Sequence, residues 1–426
     1  MNLTKQLIRP FCMAMFFAIL GQQALSQSLT LAYCYEQAEL VNPIKKNEAL
    51  LGSISELNLK NQSVKQYPQM LLDASASYQS DVFSLPFSVP GSDVPEIPKD
   101  QYNIALKINQ SIYDGGVTKA FKAVEEADLV ARQQEIKVNL YQTRAIIDDL
   151  FFGVLLLEQR KDVLAALQEE LTNQLTRVQA GYENGITLES SVKSMRIELL
   201  KIEQQIESVV MNAAAMRTAL GNWIGQEVGD DIVLVSPTGA VEQEIFRPEL
   251  LLFENKHDQM DAQRKLLAAS SKPKLLGFGN FGLGRPNPMN FFETDFEPYF
   301  IVGAKLVWSL PVWGETGRKQ QTVSLNQQMI ATQKEQFVRG ITNQSLTLKA
   351  QIDALDLTLG KDQTLIQLQS EVAEDAQLQF EEGTMSSTDY LTELNKKAQL
   401  QLAMQVHKIE QLKLQSQLAT LKGNEP

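Results

Sequence analysis

Hydrophobic residues recur along this chain with two different periods. Met70, Leu72, Ala74, Ala76 and Tyr78 alternate with Leu71, Asp73, Ser75, Ser77 and Gln79. After a loop at 80–100 rich in Pro, Ser and Gly, Tyr102, Ile104, Leu106, Ile108 and Ile112 face one way, and Asn103, Lys107, Asn109 and Ser111 the other. This period of two predicts strands with one apolar and one polar face. Lys274 to Gly284 predicts a third, less regular strand. Phe300, Val302, Ala304, Leu306, Trp308 and Leu310, alternating with Tyr299, Gly303, Lys305 and Ser309, predict a fourth. Lipid on one side and water on the other fits the pattern. On the strand pattern alone a soluble hairpin whose apolar face covers a core is favoured, because transmembrane strands give a weak signal per segment.

The intervening stretches are helical in period. No proline occurs from 99 to 236, nor between Pro311 and Pro426. Val192, Met195, Leu199, Ile202, Ile206 and Val209 recur at steps of three and four, as do Leu391, Leu394, Ala398, Leu402, Val406, Ile409 and Leu412. Steps averaging about 3.5 are those of a coiled coil. Each stretch predicts two long helices folded back on one another. The turns are expected near Glu158-Gln-Arg-Lys161 and Leu359-Gly360-Lys361-Asp362. Residues 29–65 predict an earlier helix kinked at Asn42-Pro43, and Glu249 to Ser270 a shorter one.

A shift of 198 positions lays the second half on the first. Gly116 falls on Gly314, Lys107 on Lys305, and Tyr182-Glu-Asn-Gly185 on Phe380-Glu-Glu-Gly383. The expected organisation is a signal peptide at 1–26, a repeat at 27–221, a linker at 222–246 and a second repeat at 247–426. In the signal, Lys5 and Arg9 precede the apolar run Phe11 to Leu20, and Ala24-Leu25-Ser26 supplies a small-residue cleavage site. Removing it takes away Cys12, leaves Cys34 as the one cysteine, and moves the net charge from −12 to −14. So acidic a chain argues against phosphate-backbone binding, and no nucleic-acid partner is expected. No later run is long and apolar enough for a spanning helix, so an exported chain that crosses a membrane must do so as a barrel.

With these features, Tyr113-Asp-Gly-Gly116, the two aromatic-x-x-Gly elements and Arg247-Pro-Glu-Leu250, the sequence resembles the outer-membrane efflux protein family, the TolC-like exit ducts. The resemblance implies a mixed fold: four transmembrane strands per chain closing a twelve-stranded β-barrel as a homotrimer, and coiled-coil hairpins forming an α-barrel in the periplasm. It implies outer-membrane lipid around the barrel, a periplasmic adaptor (membrane fusion) protein and an inner-membrane transporter as partners, and passive export of small molecules or other substrates. It also makes the second hairpin the inner one and puts acidic residues at Glu371 and Glu374, a candidate constriction at the periplasmic entrance. Their counterparts in the first repeat, Asn173 and Thr176, are uncharged. Taken alone, the two glutamates fit a solvated helix face. Lys107, Lys305 and Asp73, on polar strand faces, are candidate barrel-lumen residues.

Other motifs lead nowhere. Gly277-Phe-Gly-Asn-Phe-Gly282 precedes a proline-rich loop rather than a helix, which argues against a dinucleotide site. His257 and His407 lack a cysteine or second histidine at ligand spacing, and no catalytic set is visible, so no cofactor, metal or enzymatic activity is expected. The alternative of another class is a non-pore periplasmic coiled-coil scaffold or adhesin.

Overall fold

The computed structural model describes residues 28–83, 96–237, 245–290, 293–310 and 312–424. The expected signal at 1–26, residues 84–95 of the loop and 238–244 of the linker lie outside them. The chain divides into two units.

The first unit comprises 46–137 and 249–336. It holds α2 (Lys46–Val64), β2 (Gln69–Tyr78), β3 (Asp100–Tyr113), the beginning of α3 (Val117–Glu183), α5 (Pro248–Ser270), β5 (Lys274–Arg285), β6 (Glu297–Val307) and the beginning of α6 (Glu315–Glu381). The four strands form one antiparallel sheet in the order β2-β3-β5-β6, so the two halves of the chain join through β3 and β5. Register fixes the faces. Leu72 pairs with Leu106, Leu106 with Phe281, and Phe281 with Phe300, which puts the apolar positions on one side. Met70, Leu72, Phe300, Val302 and Leu306 are each about two-thirds exposed there.

The GxGxxG segment lies within β5. A Cβ at Gly282 would fall 2.8 Å from the Tyr299 ring, and with glycine there Tyr299 reaches across to donate to Asn103 at 2.7 Å. These glycines serve packing between strands.

The second unit comprises the described residues up to Lys45, 138–248 and 337–424. It holds β1 (Ser28–Thr30), α1 (Leu31–Val41), the rest of α3, α4 (Glu189–Ile224), β4 (Val233–Val235), the rest of α6, and α7 (Ser387–Lys422). The kink at Asn42-Pro43 is present as a 3-10 turn between α1 and α2. The parallel pair β1-β4 was not predicted; three residues per strand are too few to show a period.

The hairpin turns differ from the sequence reading. Both α3 and α6 run unbroken for 67 residues, through Glu158–Lys161 and Leu359–Asp362, and the chain reverses instead at 184–188 and 382–386. A glycine inside a helix costs only about 1 kcal/mol relative to alanine, which packing along so long a helix overrides. At Gly185 and Gly383 the backbone is left-handed, with φ of 74° and 76°. Each closes the same C-terminal motif. Ile186 N–H donates to Gly181 O and Gly185 N–H to Tyr182 O; in the second copy Thr384 donates to Gln379 and Gly383 to Phe380. Since α4 and α7 are both 36 residues, the two hairpins match in length.

Candidate entrance site

Near the turns, four helices share one apolar cluster. It includes Leu164, Leu171, Val178, Val192, Met195, Tyr390, Leu391 and Leu394. Phe380 stacks on Tyr390 with ring centroids 5.3 Å apart. Ser386 caps α7 by accepting from Asp389 N–H. Polar ties join the two hairpins at the cluster's rim. Arg177 donates to Glu381 at 2.6 Å, Asn395 donates to Glu198 at 2.8 Å, and Lys397 lies 3.8 Å from Glu170. The hydrogen bond from Gln377, with the Arg177 guanidinium beside it, holds the Glu381 carboxyl below the usual carboxylate range. Sequence reading missed Arg177 and Glu381.

Glu371 and Glu374 are exposed on α6, one turn apart, with buried Ala373 and Ala376 on the opposite side. At about 1.5 Å per residue they lie roughly 18 and 14 Å before Gly383. Gln367 donates to Glu371 at 3.4 Å. Asn173 and Thr176 are likewise exposed on α3.

The seams inside the two hairpins differ more than their lengths suggest. Within the second, Asp362 accepts from or donates to His407 Nδ1 at 2.7 Å, Gln369 donates to Glu393 at 2.8 Å, and Gln411 donates to Asp356. In the first hairpin, 198 positions earlier, the first two of these pairs are Leu164 with Val209 and Leu171 with Met195, all four buried. The buried stripe of the return helix is also displaced. Val192, Met195, Arg217, Leu220 and Gly221 of α4 correspond to Leu391, Leu394, Ser416, Ala419 and Thr420 of α7 at a shift of 199, not 198. One residue is a rotation of about 100°. At the layers of Asp362 and Gln369, the pairs between α6 and α7 are polar.

On the sheet, Lys107 pairs with Asp73 at 3.1 Å on the polar face, and Lys305, on the same face, lies over the Phe278 ring at 6.0 Å from its centroid. The structure thus brings Lys107 and Asp73 together. On α5, Asp258 and Asp261 approach His257 Nδ1 at 3.9 and 4.0 Å, and Arg264 pairs with Asp261. This is an exposed surface cluster.

At the other end of the second unit, Tyr35 donates to Asp148, with Ser416 and Thr420 alongside. Burial pushes the Asp148 carboxyl up to about 6, against the lowering effect of the Tyr35 and Ser416 hydrogen bonds. Burial also raises the Tyr35 hydroxyl, and the Cys34 thiol to about 12. Arg247 of Arg247-Pro-Glu-Leu250 lies over the Tyr141 ring and donates to Thr420 O at 3.2 Å, where α7 ends. The motif therefore anchors the end of the second hairpin.

This arrangement of an apolar-faced sheet and two equal hairpins has counterparts. Residues 56–226 match the model of the family described as outer membrane efflux protein. The resemblance to the efflux channels holds. No curated protein sequence matches the chain. Among solved structures, the outer membrane protein VceC of Vibrio cholerae is similar with a TM-score of 0.64 at 14% identity, over 93% of this chain and 96% of that one. The MtrE outer membrane channel of Neisseria gonorrhoeae, solved in its open state, gives 0.64 at 14%, over 92% and 89%. The CmeC outer membrane channel of Campylobacter jejuni gives 0.62 at 14%, over 93% and 86%. At this identity the likeness is one of fold, and it spans nearly the whole of each channel.

Proposed function

We propose that this chain is the outer-membrane exit duct of a multi-component export system, working as a homotrimer. One observation carries the reading: the apolar face of the four-stranded sheet. The strands have 10, 14, 12 and 11 residues, and about 9–11 tilted residues cross a bilayer. Between the Asp100–Arg285 ion pair at one rim and Gln110 near the other, that face carries no charged side chain. No described helix is long and apolar enough to cross a membrane. Four strands are too few to close a barrel, and twelve from three copies suffice. On this reading the apolar face meets lipid, while Lys107, Asp73 and Lys305 meet the lumen. The hairpins form a periplasmic tunnel ending at 184–188 and 382–386, where a periplasmic adaptor, coupled to an inner-membrane transporter, docks. Glu371 and Glu374 of three copies set six carboxylates around the entrance, a ring that favours cations.

The deciding experiment is single-channel recording of the detergent-purified protein in a planar bilayer. Discrete conductance from a trimeric species supports the duct. A water-soluble monomer without conductance overturns it in favour of a scaffold or adhesin. Docking polarity is tested separately: cysteines at Asn184 and Glu382 crosslink to the adaptor, whereas one at Met289 does not.

A further inference from the structure

The one layer of the second hairpin where a buried carboxylate meets a histidine has no equivalent in the first. Asp362 is only 7% exposed, and its bond to His407 Nδ1 ties the long helix α6 to the return helix α7. Among the described residues, no other charged group forms a hydrogen bond or ion pair with either side chain. Along their own helices Lys361 flanks Asp362, and Lys408 and Glu410 lie next to His407. Toward the first hairpin, the charged groups of α7 on either side are already engaged. Lys397 faces Glu170 of α3, ten residues before His407, and Lys413 faces Asp149 of α3, six residues after it. Asn395 holds Glu198 of α4.

The chemistry of such a pair depends on one proton. Neutral imidazole donates Nδ1–H to the carboxylate, leaving a buried negative charge with a single neutral donor. Imidazolium makes the same bond charge-assisted, roughly twice as strong. Histidine is the side chain whose charge changes in the physiological pH range, so gain of the proton tightens the layer and its loss loosens it. At the same layer of the first hairpin, Leu164 and Val209 are both buried and carry no proton to lose.

We propose that Asp362 and His407 form a proton-operated clasp that fastens α6 to α7 under acid conditions and slackens it at neutral pH. The clasp makes this layer of the second hairpin, and not the matching Leu164–Val209 layer of the first, responsive to the pH of its surroundings.

The test is hydrogen exchange of the assembled full chain in detergent, at pH 5.5 and pH 7.5, corrected for intrinsic exchange rates. Segments 356–368 and 402–412 are read against 158–170 and 204–214 of the first hairpin. Wild type should be protected about fivefold more at pH 5.5 in the second hairpin, with no such difference in the first. His407→Gln, which keeps a donor but cannot be charged, should abolish the difference. So should Asp362→Leu with His407→Val, which installs the pair of the first hairpin. The idea is overturned if wild type shows no difference, or if His407→Gln retains it, whether or not the double variant assembles. Neither readout requires conductance, so the clasp and the duct can fail independently.

Discussion

The two hairpins have helices of identical length, the same left-handed glycine at the reversal and the same closing hydrogen bonds, yet they are held together by different physics. The first is fastened by burial: Leu164, Leu171, Met195 and Val209 are at most 4% exposed. Burial is indifferent to pH and, near room temperature, to moderate salt. The second also buries Tyr390, Leu391 and Leu394, with Phe380 of α6 stacked on Tyr390 of α7. To these it adds the polar pairs His407–Asp362, Glu393–Gln369 and Asp356–Gln411, whose net worth is small and depends on solvent. The two rods are equal in length, but at matching layers one joins its helices through apolar side chains and the other through polar ones. The contrast fits the proposal that the second hairpin lines the entrance.

Exchanging the seams is the harshest test of that contrast. Leu171→Gln with Met195→Glu places polar groups in the buried cluster and should cost several kcal/mol, seen as lost exchange protection around the first turn. The converse, Gln369→Leu with Glu393→Met, should raise protection of the second hairpin. Equal and small effects in both directions would erase the distinction.

A buried carboxyl qualifies the first hairpin. Asp148 is 1% exposed, while Leu346, its counterpart at the 198 shift, is 62% exposed. Its folded value of about 6 lies above the ordinary 3.8, so the fold favours the protonated form. That contribution is full below pH ~4 and is lost as pH rises through about 6. Asp148→Asn should therefore match wild type at pH 4 and exceed it in stability at pH 7.5 by up to about 3 kcal/mol, as read by exchange at 145–151. No gain at pH 7.5 would mean that Tyr35 and Ser416 hold the carboxylate without penalty.

Smaller changes separate the true reversal from the expected one. Gly383→Ala strains a left-handed residue and should cost about 1 kcal/mol. Gly360→Ala, inside α6 with open space around a new Cβ, should gain up to about 1 kcal/mol. Opposite signs in thermal unfolding would uphold the unbroken helix.

The strands, the kink at Asn42-Pro43 and the duplication were legible because each leaves a period or a fixed offset over many residues. The reversal points were not. Gly360 and Gly383 look alike in sequence, and only the backbone angle and the bonds of Thr384 and Gly383 to Gln379 and Phe380 distinguish them. The offset did hold the signal for the polar seam. Asp362 falls on Leu164 and His407 on Val209, a polar-for-apolar exchange visible only across the repeat and not in the spacing of histidines along the chain. Arg177 and Glu381 left no local pattern, since their contact spans two hairpins.

The claim that the second hairpin lines the entrance is tested most directly by the reversal potential of single channels in a salt gradient. Glu371→Ala with Glu374→Ala should reduce cation selectivity and weaken block by divalent cations added from the periplasmic side. Asn173→Ala with Thr176→Ala, the same positions in the first hairpin, should leave both unchanged. Wild-type selectivity and block in the Glu371/Glu374 double variant would contradict the account.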